Sequence, residues 1–155
     1  MARLALLALV GGIAAAGGAA GAASAPSSGC TAAATKTLVH SFVAGYKAGH
    51  VAAIDRMWAP EPYFQWYSTI APGGRLGSKA YDRTTLAAYF RTRVRVHEKI
   101  VLTQLHAGYD AKRNLVNFAG KLVRSADDLT ATGPKDFKGA AACRATGPTL
   151  IVWSM

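Results

Sequence analysis

The sequence predicts an α+β fold in which helices come first and an antiparallel sheet follows beneath them. Three observations carry this expectation. Apolar residues recur three and four apart through residues 34–58 and again through 82–96, the period of helices with one buried face. Aromatic and β-branched residues dominate 63–69, as strands prefer, and the tracts after residue 100 are strand-like. Short turn-forming stretches divide those later tracts into hairpins.

A leader precedes the fold. Met1, Ala2 and Arg3 give a positive start, and the apolar run 4–13 is followed almost entirely by Ala and Gly up to Ala25. Charge, short apolar core and small residues together are the pattern of an export signal. Residues 1–25 are read as that signal, 26–33 as a flexible lead-in and 34–155 as one domain. Cleavage is expected after Ala22 or Ser24, because a cut after Ala25 leaves Pro26 at the new terminus. The competing reading is an uncleaved anchor, but the Ala/Gly tail is weakly apolar for a membrane span of about 20 residues.

Arg3 is the only charged residue in the leader, so 17 Lys and Arg remain against 8 acids and the net charge is +9. That excess favours anionic partners such as an envelope surface. An exported chain does not meet DNA, and nucleic acid is set aside. Cys30 and Cys143 both remain, and in an oxidising compartment one disulfide is the simplest pairing. Lipidation at Cys30 is the alternative, although Ser27 stands where a lipoprotein box has an aliphatic residue.

The elements then follow in order. Leu38, Phe42, Tyr46 and Gly49 share one helical face, and Gly49 is a stop signal. A second helix is expected over 51–58, ended by Pro60 and Pro62. Alternation in 63–69 puts Phe64, Trp66 and Ser68 on one side of a strand, and 71–74 read as the turn to a short return strand. Asp82 is a natural cap for a helix to about residue 96, with Leu86, Phe90 and Val94 inward. If that helix reaches Lys99, then Arg91, Arg95 and Lys99 form a basic stripe.

Strands are expected at 100–109 and 114–124, then at 139–144 and 149–154 around a Gly147-Pro148 turn, with 125–138 a polar loop. Alternation puts Asn117 and Arg124 on opposite faces. The last strand is apolar on both faces, so helices cover one side and a second subunit the other, as in a homodimer.

The stretch Phe42-Val43-Ala44-Gly45-Tyr46-Lys47-Ala48-Gly49-His50, continuing Val51-Ala52-Ala53-Ile54-Asp55-Arg56-Met57-Trp58-Ala59, resembles the NTF2-like superfamily. The order of elements from residue 34 onward is similar too. The resemblance implies a cone in which three N-terminal helices pack on a curved, mostly antiparallel sheet. In the family's isomerases the oxyanion-binding tyrosine falls here on Phe42, the proton-shuttling aspartate on Trp66, and the Asp of a Gly-Asp turn on His50. Proton transfer needs a titratable base and an enolate donor, and Phe and Trp provide neither. No catalytic residue is therefore assigned. The resemblance implies instead an aromatic pocket for a small apolar ligand, lined by Phe42, Tyr46, Trp58, Phe64 and Trp66, with a cofactor-free SnoaL-like enzyme as the alternative and a protein partner also open.

Other chemistries lack their motifs. The four histidines have no metal-ligand spacing, His97-Glu98 is not followed by a second histidine, and neither a Gly-x-Ser-x-Gly elbow nor a phosphate-binding glycine loop occurs. No metal or cofactor is expected. Asp127 and Asp128 are expected to pair at the surface with Lys135 and Lys138.

Overall fold

The computed structural model describes residues 29–68, 78–131 and 133–155. The expected leader and the 71–74 turn lie outside the described residues. The element order is α1 (Ala32–Lys47), α2 (Val51–Asp55), β1 (Gln65–Ser68), β2 (Ser78–Ala80), α3 (Arg83–Arg95), β3 (Lys99–Asp110), β4 (Leu115–Ser125), β5 (Lys135–Arg144) and β6 (Gly147–Ser154).

Local chemistry sets both ends of the long helices. Thr31 caps α1 by accepting the Ala34 N–H at 3.0 Å. At the far end the Gly49 N–H donates to the Tyr46 carbonyl and the His50 N–H to the Gly45 carbonyl. This is the paired closure of a Schellman turn, and Gly49 takes the left-handed conformation it needs, at φ 70°. Asp82 caps α3 through the Thr85 N–H at 2.7 Å. The end of α3 repeats the closure, with His97 in the left-handed position at φ 51° and the Glu98 N–H donating to the Arg93 carbonyl at 3.0 Å.

Two expectations change here. The second helix stops at Asp55 rather than Trp58. Beyond it the backbone turns to β6, where the Leu150 N–H donates to the Met57 carbonyl at 2.9 Å and the Ala59 N–H to the Leu150 carbonyl at 2.8 Å. The Arg83 guanidinium holds the same segment by donating to the carbonyls of Asp55, Trp58 and Ala59. The basic stripe is also broken, since the turn at His97 sends Lys99 into β3 and leaves Arg91 and Arg95 exposed on α3.

The six strands lie in the order β2-β1-β6-β5-β4-β3. Neighbours are antiparallel except β1 and β6, which run parallel. β5 begins at Lys135, inside the stretch expected to be loop. Phe137 is buried there, and Asp136 pairs across the strands with Lys121 at 2.9 Å. β6 begins at Gly147, so Gly147 and Pro148 are strand residues and Ala145 and Thr146 make the turn.

One cross-strand row organises the core. Ala80, Trp66, Trp153, Gly139, Phe118 and Ala107 stand side by side on the inner face. The small members make room for the large: a Cβ on Gly139 would lie 2.3 Å from the Phe118 ring. Val39, Phe42 and Tyr46 of α1 and Leu86 and Phe90 of α3 close over this row.

Cys30 is bonded to Cys143, with the sulfurs 2.02 Å apart and a sequence separation of 113. The bond ties the start of α1 to β5. For a loop this long the chain-entropy model gives about 4–5 kcal/mol. Replacing both cysteines by alanine is expected to lower unfolding stability by up to that amount, measured by urea titration, and reductant is expected to shift the wild type alone.

Candidate functional site

The aromatic lining expected from the sequence is a packed core in the structure. Phe42, Tyr46, Trp58, Phe64 and Trp66 are each at most 2% exposed. Phe42 lies 6.0 Å from Tyr46, 6.1 Å from Trp58 and from Trp66, 5.7 Å from Phe90 and 4.6 Å from Trp153, between ring centroids. Trp58 in turn meets Phe64 at 5.6 Å. These are the separations of aromatic pairs in contact. The indole N–H groups of Trp58, Trp66 and Trp153 are buried within this cluster without an acceptor.

Polar chemistry enters beside the rings through Glu98, whose side chain is fully buried. The Schellman turn at the end of α3 sets it beside Arg93. Its Oε2 accepts from Arg93 Nε at 2.5 Å and from the Tyr46 hydroxyl at 2.9 Å. Its Oε1 accepts from Arg124 at 2.6 Å. Arg124 also donates to Ser68 Oγ at 3.0 Å and to the Tyr89 hydroxyl at 3.1 Å, while Tyr89 donates to Ser68 at 2.8 Å.

Arg93 completes the network with a two-pronged bridge to Asp128 at 2.7 and 2.8 Å. Asp127 accepts from His97 Nδ1 at 2.7 Å. The acid pair therefore engages Arg93 and His97, where the sequence suggested Lys135 and Lys138. Arg124 points inward and Asn117 outward, on opposite faces as alternation along β4 required.

The network is balanced in charge, with two guanidinium groups against two carboxylates. Burial pushes the Tyr46 and Tyr89 hydroxyls up, and the nearby Tyr89 and Glu98 push Tyr46 further. Both tyrosines therefore stay protonated as donors. Burial works to lower Arg93, but its hydrogen bonds to Asp128 and Glu98 outweigh that and raise it. Both oxygens of Glu98 are engaged by donors of the chain itself.

An open recess lies on the other side of the sheet. Tyr67, Ser154, Lys138, Ala119 and His106 form one row across its outer face. Val152, Ala140, Asn117 and Gly108 form the next. The small members of both rows leave a largely apolar groove of about 600 Å³. It is rimmed by Tyr67, His106 and Lys138. A second recess of about 440 Å³ continues from His106 and Lys138 toward Gln104, Lys121 and Asp136.

The candidate residues from the sequence thus come together inside the cone, and the groove on the outer face is formed by other residues. Glu98, Arg93 and the sheet-face residues carried no motif in the sequence. The alternation that turned Asn117 outward was the available signal for the outer face, and nothing short of the turn at His97 revealed Glu98.

Solved structures share this fold at low sequence identity. An NTF2-like protein with a cystatin-like fold from Novosphingobium aromaticivorans superposes with a TM-score of 0.58 at 10% identity, over 77% of this chain and 77% of that one. A protein of unknown function with a cystatin-like fold from Nostoc punctiforme gives 0.61 at 12% identity, over 81% of this chain and 91% of that one. A third, of unknown function from Methylobium petroleophilum, gives 0.57 at 13% identity, over 81% and 76%. No protein-family model matches the chain, and no curated protein matches it in sequence. The chain has the NTF2-like fold, with its helices on a curved, mixed sheet.

Breaking the Glu98 network is expected to be costly. Glu98→Gln leaves two buried guanidinium groups short of a counter-charge, a loss of about 3–5 kcal/mol, measured by chemical denaturation. Asp128 supplies a pH dependence, because its hydrogen bonds from Arg93 hold it below the ordinary aspartate value of 3.8. A depressed native pKa gives stability that is present above the unfolded value and lost as pH falls through the native one. Asp128→Asn is therefore expected to be less stable than wild type at neutral pH, with the gap closing below about pH 4, followed by thermal melts across pH.

Proposed function

We propose that this chain acts outside the cytoplasm as a binding domain, and that it receives a small, flat apolar molecule in the groove on the outer sheet face. The observation that carries the reading is the groove itself. Its floor is made of small side chains between bulkier polar ones, and its volume falls within the range of about 300–1,000 Å³ typical of small-molecule sites. The engagement of Glu98 by three side chains of its own chain supports binding over proton transfer.

Export is supported by the leader pattern and by the disulfide, since such bonds persist in oxidising compartments. The Cys30 sulfur is bonded to Cys143 and offers no thiol to a lipid. Among the described residues no helix is long and apolar enough to cross a membrane.

Ala119 is exposed at the centre of the groove, so Ala119→Trp fills it without entering the core. Wild type is expected to bind an apolar fluorescent dye and the variant to lose that binding. Equal dye binding by both proteins overturns the site. A homodimer is the competing occupant of this face: wild type would then sediment as a dimer and Ala119→Trp as a monomer. A mass matching cleavage after Ala22 or Ser24 checks export in the same preparation.

A second reading keeps the ligand inside the cone, among Phe42, Tyr46, Trp58, Phe64 and Trp66. It is favoured by the three buried indole N–H groups that lack an acceptor. It predicts that an apolar ligand bearing an acceptor oxygen changes tryptophan emission equally in wild type and Ala119→Trp.

A further inference from the structure

The two edges of the sheet are built differently. At one edge β2 is 3 residues long, and at the other β3 runs for 12. An edge strand offers unpaired backbone groups to other chains, and proteins blunt it by shortness, by lysine or proline, or by a bulge. Shortness protects β2. The first half of β3 carries Lys99 and a break in register between Leu102 and Gln104. The stretch 104–110, Gln-Leu-His-Ala-Gly-Tyr-Asp, has none of these devices and pairs with β4 in unbroken register.

Register also shows which backbone groups of that stretch face outward. The Cys143 N–H donates to the Asn114 carbonyl at 3.4 Å, so the backbone of Asn114 addresses β5. By alternation Leu115, Asn117, Ala119 and Lys121 address β3, where they stand opposite Asp110, Gly108, His106 and Gln104. The N–H and C=O groups of Leu105, Ala107 and Tyr109 therefore point away from β4. Among the described residues no strand lies beyond them. Their side chains share the inner face, where Ala107 stands opposite Phe118 and Tyr109 opposite Val116, and all three are half-buried.

We infer that this edge pairs antiparallel with the same edge of a second copy, about a twofold axis at Ala107. In that register Leu105 meets Tyr109 of the second copy and Ala107 meets Ala107, each pair exchanging two backbone hydrogen bonds. Every outward residue of both copies is used. Centring on His106 instead sets the two imidazoles face to face and carries Tyr109 into the irregular segment at Thr103. Centring on Gly108 sets Leu105 against Ala111, beyond the end of the strand.

The side chains agree with the backbone. Leu105 covers Tyr109 on the inner face, while on the outer face His106 faces Gly108 and Gln104 faces Asp110, so no like charges stand opposite each other. An extended peptide meets the same backbone groups; the complementarity of 104–110 to its own reverse is what selects a second copy. His106 and Gly108 also line the outer groove, so the pairing continues that groove into the partner. The inference does not rest on the groove holding a ligand.

Sedimentation over a range of protein concentrations tests it, and wild type is expected to show a monomer–dimer equilibrium. Because the Ala107 N–H faces away from β4, Ala107→Pro removes no bond inside the sheet; it is expected to weaken dimerisation about tenfold or more. A second variant reads the register without proline. Paired residues of this kind lie about 5.5 Å apart between Cα atoms, within disulfide reach. Ala107→Cys is expected to cross-link into a dimer under mild oxidation, and Val101→Cys, exposed on the same strand, to stay uncross-linked. Ala119→Trp is expected to dimerise as wild type does, whatever it does to dye binding, which keeps this result separate from that of the groove. Wild type that is monomeric at every concentration overturns the inference, as does equal cross-linking of the two cysteine variants. Undiminished dimerisation of folded Ala107→Pro overturns it too, and so does a dimer dissolved by Ala119→Trp, which moves the association to the outer face.

Discussion

Glu98 is a carboxylate removed entirely from water, and three donors from three elements make that tolerable. Tyr46 comes from α1, Arg93 from α3 and Arg124 from β4, and Arg124 passes the contact on to Ser68 of β1. Moving any of these elements by an ångström would leave a buried charge with a broken hydrogen bond. An uncompensated buried charge costs several kcal/mol, so this cluster fixes how the helices sit on the sheet more sharply than apolar contact does.

The aromatic row and the Glu98 network divide the interior between them. The row gives bulk and non-directional attraction, with large rings of β1, β4 and β6 interleaved with Gly139 and Ala107. The network gives direction. Together they pack the inner face of the sheet among the described residues. On the outer face, small side chains hollow a groove.

Much of the fold was legible because local patterns and tertiary needs agree. The Asp82 cap, the Gly49 stop, the buried line of Leu86 and Phe90, and the first hairpin pair of β3 and β4 follow from spacing and capping chemistry. Where sequence and structure part, a long-range contact intervenes. Residues 56–59 leave their helical pattern because Leu150 and Arg83 take their backbone groups. His97 ends α3 without glycine because the turn it makes delivers Glu98 to Arg93.

The sequence by itself determined the α+β order, the placing of Asn117 and Arg124 on opposite faces and the uncompensated positive charge, because each depends on spacing, count or alternation along the chain. Only the tertiary structure decided that the predicted aromatic lining packs ring against ring, that Asp128 belongs to Arg93, and that small side chains hollow a groove on the outer sheet face. Those outcomes depend on which distant residues meet across the sheet, and register between strands far apart in sequence is not written in either strand alone.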